Sequence, residues 1–456
     1  MAGTVPESEE FMCPVKLALI GAGDRGFAYG KYALDHPDEV SFVAVADPIA
    51  VRRGQFAALH NIPLPNRFAS WEDLLARPPL ADAVIVATPD HLHVEPTVAA
   101  LERGYHVLLE KPMATNLRDC VALVQAAERT GHMLQVCHVL RYSDFFNQVH
   151  QIVQAGRLGE IVTLEHRENV VYWHMAHSYV RGNWRRADES SPMILAKCCH
   201  DLDLMYWIMG EPFTRLTSVG SLLHFRPEAA PRPDLPARCT DGCPIEAECP
   251  FSAPAIYLER RPWRSLAQGV SSVPYYDFSV ERAWPVSVLA HGDLRPDVLR
   301  RALEEGPYGR CVYHCDNDVV DHQVVAMQSA SGRSATLIMH GHSHEEGRTL
   351  RIDGTRGTLE GRFTHTLNTI EIHDHLTGRT EVVHPLGAHV VHGGGDAGLM
   401  AAFVHAVREG EQLPLTDARA ALESHLLAFA AEQARLEGTA IDLQVYRARA
   451  LAGQST

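Results

Sequence analysis

Gly21-Ala22-Gly23-Asp24-Arg25-Gly26 follows the apolar run Val15 to Ile20, and Asp47 stands twenty-one residues further on, closing a second apolar run from Val40 to Ala46. A GxGxxG pattern alone is weak, because glycines recur in many turns. Here strand, turn, helix and acid come in the order of a dinucleotide-binding unit. Gly21 suits the tight turn, Gly23 leaves room for a pyrophosphate, and Gly26 lets the next helix pack close to the sheet. The helix start, with Asp24 and Arg25 in its first turn, offers unpaired N–H groups to phosphates. Asp47 would accept hydrogen bonds from both ribose hydroxyls of an adenosine, which favours NAD over NADP.

At 456 residues the chain is long enough for two domains. A formal charge of −15 speaks against a nucleic-acid or anionic-membrane partner. No apolar run approaches the ~20 residues of a membrane span. Residues 1–14 carry Glu7, Glu9 and Glu10 but no apolar signal core, and read as a disordered lead-in. Ten cysteines are too sparse for a disulfide scaffold and suit a reduced, cytoplasmic setting.

From 15 to 140, short continuous apolar runs alternate with helical stretches. Strands are expected at Val15–Gly21, Val40–Ala46, Ala83–Ala87, His106–Leu109 and Met133–His138. The pattern predicts an α/β Rossmann domain, a doubly wound parallel sheet with ligands at the strand C-termini. Thr88, Pro89, His91, Glu110 and Lys111 then join the glycine loop and Asp47 around the cofactor. From 141 to 456, strands at Ile161–Asn169, Leu216–His224, Val324–Ala330, Ala335–His340, Leu350–Ile352 and Ile370–His373 come with few helices between them. They predict an α+β domain on a large open, mainly antiparallel or mixed sheet, with a Cys/Pro-rich insertion at about 226–320. Thr416 to Gly438 reads as a capped amphipathic helix.

Glu110-Lys111-Pro112 closes the strand at His106–Leu109. With Leu350-Arg351-Ile352-Asp353-Gly354-Thr355 and the closing helix, it makes the chain resemble the glucose–fructose oxidoreductase/inositol dehydrogenase (Gfo/Idh/MocA) family. The resemblance covers essentially the whole chain. It implies NAD-dependent hydride transfer at a secondary hydroxyl of a sugar, glycoside or cyclitol, a substrate site on the second domain, and a homo-oligomer formed through that domain's sheet. Lys111, a cation between the nicotinamide ribose and a substrate hydroxyl, would lower that hydroxyl's pKa and fix its carbon.

Lys197, His200 and Asp203 lie three apart and, on one helix, would share a face. His200 is the expected base, with Asp203 orienting it or binding another hydroxyl. The family pattern has an acid four residues before this histidine, where Ala196 stands here. Whether Lys197 shares the proton transfer stays open. His177, Tyr179, Arg181, Trp184 and Arg185, together with His392 and Asp396, are expected to bind substrate. Two other functions fit less well: a redox glycosidase that oxidises, eliminates and reduces on a retained NAD, and a non-catalytic NAD sensor, which would not need Lys111 and His200.

Cys239, Cys243 and Cys249 follow the Pro/Arg-rich stretch Arg226 to Asp241. Thiolates so clustered would hold a structural zinc, with a fourth ligand from Cys311 or Cys315. Alternatively, Pro244 and Pro250 order the turns without metal.

Overall fold

The structure is a computed structural model that describes residues 13–259, 284–364, 367–387, 391–410 and 414–454. Most of the expected lead-in and the centre of the insertion lie outside the described residues.

Six parallel strands form the first sheet: β1 (Val15–Ile20), β2 (Val40–Ala46), β3 (Arg67–Phe68), β4 (Ala83–Val86), β5 (His106–Leu109) and β6 (Leu134–Val136). Their order is β3-β2-β1-β4-β5-β6. All four residues of β4 are buried, as a sheet covered by helices on both faces requires. The order reverses between β1 and β4, so a crevice opens beyond the C-terminal end of β1, where Gly21 stands.

The second sheet has nine strands. They are β7 (Ile161–Val171), β8 (Phe213–Ser221), β9 (His322–Ser329), β10 (Ser334–Ser343), β11 (Gly347–Gly354), β12 (Gly357–Thr364), β13 (Asn368–Asp374), β14 (Thr380–Val383) and β15 (Ile441–Asp442). The order is β14-β13-β12-β11-β7-β10-β9-β8-β15. Among the described residues only the β7–β10 pair of this sheet is parallel, so the sheet is mixed. Strands β3, β12, β14 and β15 were not expected from the sequence. In β12, glycines interrupt the apolar alternation, and Gly361 is there because a Cβ would come 2.8 Å from Leu350 Cδ2.

Two late helices return to the first domain. Helix Gly395–Glu409 packs on helix Asp24–Asp35. Helix Ala418–Glu437 starts at Asp417, whose carboxylate accepts from Arg419 N at 2.9 Å, and ends at Gly438 in the left-handed region. It carries His425, whose Nε2 accepts from Met113 N at 2.8 Å, beside the Glu110-Lys111-Pro112 turn. The nine-stranded sheet's domain is therefore tied to the six-stranded one by these two late helices.

The insertion leaves β8 at Ser221 and re-enters β9 at His322, two residues that pair directly. The sequence gives Arg226 to Asp241 no core of its own, but the rest of the insertion has one. Tyr257, Val286, Leu299, Leu303 and Tyr308 form an apolar cluster around Trp173 of the second domain. Among the described residues no helix is long and apolar enough to cross a membrane.

Candidate active site

Two of the loop's three glycines answer to steric demands of the fold, and the third does not. Gly21 has φ +97°, and a Cβ there would lie 2.5 Å from Ala87 O. A Cβ on Gly26 would lie 2.4 Å from Gly21 O. At Gly23 a Cβ would meet nothing within 4 Å, so this is the open side of the loop. Helix Asp24–Asp35 begins there without a side-chain cap, leaving its first N–H groups to an incoming anion. Asp47 is buried at the end of β2, its carboxylate accepting from Ala22 N at 2.8 Å and Ile49 N at 2.7 Å. These bonds fix its position against the glycine loop. A pyrophosphate and an adenine ribose fit these residues.

Arg25 is turned away from that role. Its Nε lies 2.5 Å from Glu110 Oε1, and its Nη2 reaches Asp396 at 2.6 Å and Tyr29 Oη at 2.6 Å. It links the ends of β1 and β5 to helix Gly395–Glu409. Burial would raise the Glu110 pKa, but Arg25 and then Lys111 outweigh it and hold the carboxyl below its usual range. Thr88 Oγ1 bonds Leu92 O, and His91 is exposed on the following turn. The buried neighbour His93 ties Pro112 O (2.7 Å) to Thr88 O (2.9 Å). Sequence reading missed it.

Lys111 extends from the end of β5, and its Nζ donates to Ala196 O at 2.9 Å. That carbonyl ends the short helix Met193–Ala196, which leads directly to His200. His200 is 6% exposed, with Nδ1 buried and unpartnered. Burial first, then the Lys111 charge, push its pKa well below the usual histidine value. Its surroundings therefore favour the uncharged ring. His138 and His392 lie with ring centroids 5.5 and 6.3 Å away.

The single helix face expected for Lys197, His200 and Asp203 does not form. Lys197 caps the helix Met193–Ala196, and a new helix starts at Cys199, so the three residues do not share one register. Asp203 faces Arg141, whose Nη2 and Nε each donate at 2.7 Å, rather than His200. Lys197 enters a buried charge network, 2.7 Å from Glu346 Oε1 and 3.2 Å from Glu168 Oε1. Burial alone would lower the Lys197 pKa, but Glu168 and Glu346 raise it well above the usual value, so it is a cation and not a base. Arg348 joins the network through Glu168 (2.6 Å) and Asp201 (2.8 Å), and His166 Nε2 donates to Asp201 at 2.7 Å. Burial lifts Glu168 to about 7 against the pull of Arg348 and Lys197. The carboxylates nearest Lys197 thus come from β7 and from just before β11. Strand alternation held the clue, since Leu164, His166, Glu168 and Val170 all face inward along β7.

The expected substrate residues divide. His392 and Asp396 come together at 3.0 Å near His200, with His392 in the left-handed region (φ 49°). Tyr179 stands with its ring 6.0 Å from that of Trp184, and Trp184 Nε1 donates to Asp90 at 2.8 Å. Three others are occupied elsewhere. His177 bonds Tyr257 Oη at 2.8 Å and stacks on Tyr308, Arg181 donates to backbone carbonyls of the insertion, and Arg185 pairs with Asp316 and Glu189. His177, Tyr179 and Arg181 lie on a π-helical turn, Met175–Arg181. The insertion also touches the nucleotide side, where Arg52 Nη2 lies 3.0 Å from His291 Nδ1.

Residues 15–138 match the model of the oxidoreductase-family NAD-binding Rossmann fold, and residues 146–253 match the Gfo/Idh/MocA C-terminal domain. The oxidoreductase YteT of Bacillus subtilis is 25% identical over 332 residues, 72% of this chain and 71% of that one. Escherichia coli 2,7-anhydro-N-acetylneuraminate hydratase is 30% identical over 47% of this chain and 55% of its own length. Inositol 2-dehydrogenase of Streptomyces avermitilis is 28% identical over 47% of this chain and 57% of its own. The chain thus spans little more than half the length of those last two relatives. Among solved structures, an Agrobacterium radiobacter oxidoreductase in complex with NAD+, L-tartaric acid and magnesium superposes with a TM-score of 0.66 at 15% identity, over 94% of this chain and 99% of that one. Lactobacillus casei scyllo-inositol dehydrogenase with NAD(H) and scyllo-inositol gives 0.62 at 15% identity, with the same coverage.

Proposed function

Because this chain belongs to the Gfo/Idh/MocA oxidoreductase family, we propose that it transfers a hydride between NAD and a secondary hydroxyl of a sugar, glycoside or cyclitol. NAD, when bound, supplies the hydride acceptor. The observation that carries the reading is that Lys111, at the end of β5, donates to Ala196 O four residues before His200, with its charge bearing on that histidine. The Lys111 ammonium stabilises developing negative charge on the substrate oxygen. His200, kept neutral by burial, takes the hydroxyl proton as the hydride leaves the same carbon. Asp47 supports NAD rather than NADP, since a 2′-phosphate would meet a buried carboxylate. Lys197 holds Glu168 and Glu346 in place as a positioning residue. By the family resemblance, the nine-stranded sheet is the surface on which copies of the chain associate.

A second reading, the redox glycosidase, is favoured by one contact. The Arg52–His291 pair brings the insertion onto the first turn of the helix Ala50–Leu59, where it would slow cofactor release. The two readings separate in one experiment. The protein is purified without added cofactor, its NAD content is measured, and cyclitols, sugars and glycosides are supplied with NAD. Net NADH formation supports the dehydrogenase. Sugar release with retained NAD and no NADH supports the glycosidase. NAD binding without turnover of any of them would overturn both.

A further inference from the structure

The cysteines of the insertion converge. An isolated antiparallel bridge between Arg238 and Arg310 sets Cys239 beside Cys311, with Cys239 N bonding Gly309 O at 2.8 Å and Cys311 N bonding Ala237 O at 2.9 Å. Two turns then bring round the others: Glu246 N bonds Cys243 O, and Cys249 N bonds Ile245 O at 2.9 Å. Cys239, Cys243, Cys249 and Cys311 line one small cavity, closed by Leu235, Phe251 and Arg181. Cys315 does not line it, and its Sγ turns to Cys311 O at 3.3 Å. Four thiols from segments some seventy residues apart would not gather around a void for packing alone.

Arg181 identifies what the void is for. Its side chain is among the largest fully buried ones, 1% exposed. Nε donates to Arg310 O at 2.7 Å and Nη2 to Phe251 O at 2.7 Å, with Cys239 Sγ 3.5 Å from Nη2. Nη1 is buried with no partner. Among the described residues no carboxylate pairs with this guanidinium. A buried charge without a counter-charge costs several kcal/mol, and neutral thiols do not compensate it. Four thiolates around a divalent ion carry a net charge of −2, and so do four around a doubly charged iron–sulfur core. Either places the missing counter-charge next to Arg181.

We propose that Cys239, Cys243, Cys249 and Cys311 ligate a thiophilic metal centre, with Arg181 as its counter-ion. Loading exchanges four thiol protons for the metal, leaving four metal–sulfur bonds. Thiolates on one zinc ion, at about 2.3 Å from it, stand ~3.8 Å apart. Among the described residues no three cysteine sulfurs lie within 4.8 Å of one another. The ring therefore tightens around a single zinc or accepts a larger iron–sulfur core. The site is independent of the oxidoreductase reading and staples a loop whose first part has no apolar core.

The test is metal and acid-labile sulfide analysis of the full chain, purified under anaerobic conditions without added metal. About one zinc per chain, or iron with matching sulfide and a visible charge-transfer band, supports the proposal and identifies the metal. Metal far below one per chain, with all four thiols titrating freely in the native protein, overturns it. Cys311→Ser should lose the metal while Cys315→Ser keeps it, and the reverse would overturn the assignment of the fourth ligand. Arg181→Met separates the charge argument from folding. It should lower metal occupancy at low metal concentration and be rescued by excess metal, with Arg181→Lys intermediate; unchanged occupancy in a folded Arg181→Met protein would overturn the counter-ion role.

Discussion

Lys197 Nζ stands 2.7 Å from Glu346 Oε1 and 3.2 Å from Glu168, so one ammonium serves two buried carboxylates. Removing it leaves Glu168 with Arg348 and Glu346 with His174 as their remaining partners. Lys197→Met should lower stability by about 3–5 kcal/mol, the range for breaking a buried pair from one side. Lys197→Met with Glu346→Gln should recover part of that loss. Denaturant unfolding of the two single variants and the double variant measures the coupling. Strictly additive losses would show that the pair does not act as a unit.

Lys111→Ala and His200→Ala should each reduce turnover by ~10²–10⁴, the usual cost of removing a general acid–base group. NAD affinity should stay within a few-fold in both, because neither residue touches the glycine loop. Titration of NAD alongside steady-state kinetics checks this. Near-normal turnover in either variant removes that residue from the chemistry.

Asp47 faces the ribose side with its carboxylate fixed by Ala22 N and Ile49 N. The wild-type protein should bind NAD more tightly than NADP, and Asp47→Ser should narrow the gap mainly by weakening NAD. Arg53 already donates to Asp47 O at 2.5 Å, so it is not free to receive a 2′-phosphate. Competition between the two cofactors on both proteins decides the point, and tighter NADP binding by the wild type would refute it.

Acid should destabilise the fold through its buried histidines. His425 accepts from Met113 N through Nε2, lies 2.8 Å from Ala421 O through Nδ1, and is held down to about 3 by burial and then by His138. Its folded pKa lies below the unfolded value near 6.5. Between pH 6.5 and 3 the unfolded chain therefore binds the extra proton, and stability present above 6.5 drains away as pH falls. The thermal midpoint should drop steadily below pH 6.5. His425→Gln should start lower but fall less steeply, and parallel curves would show that another group drives the acid loss.

The first sheet was legible because its strands are short, mostly apolar runs, the first of them ended by Gly21. β1, β2, β4 and β5 appear where those runs lie, within about a residue. Asp47 and the Glu110-Lys111 turn were legible for the same reason, since a parallel sheet puts strand ends together. The charge network was not. Glu168, Glu346 and Arg348 come from separate strands and loops, and no local spacing links them to Lys197. The break at Cys198 was equally hidden, because helix formers flank it and nothing in the sequence marks a stop. Arg181 looked like a sugar-binding donor because its partners, Arg310 O and Phe251 O, are backbone groups from distant segments, which no residue type announces.

Ser221 and His322 face each other across the β8–β9 pair, so everything between them hangs from a single hairpin position. In principle a short turn would close that hairpin and leave the register of the nine strands intact. The insertion is thus attached at one place in the sheet's register, and its replacement would not require recutting the nine strands. The constraint is at its underside, where Val171 and Trp173 are buried against it, Arg181 donates to its backbone, and its own Phe225, Phe251 and Val312 enter the main core. A graft at this position must replace that apolar cover and the partners of Arg181 before it brings any new specificity.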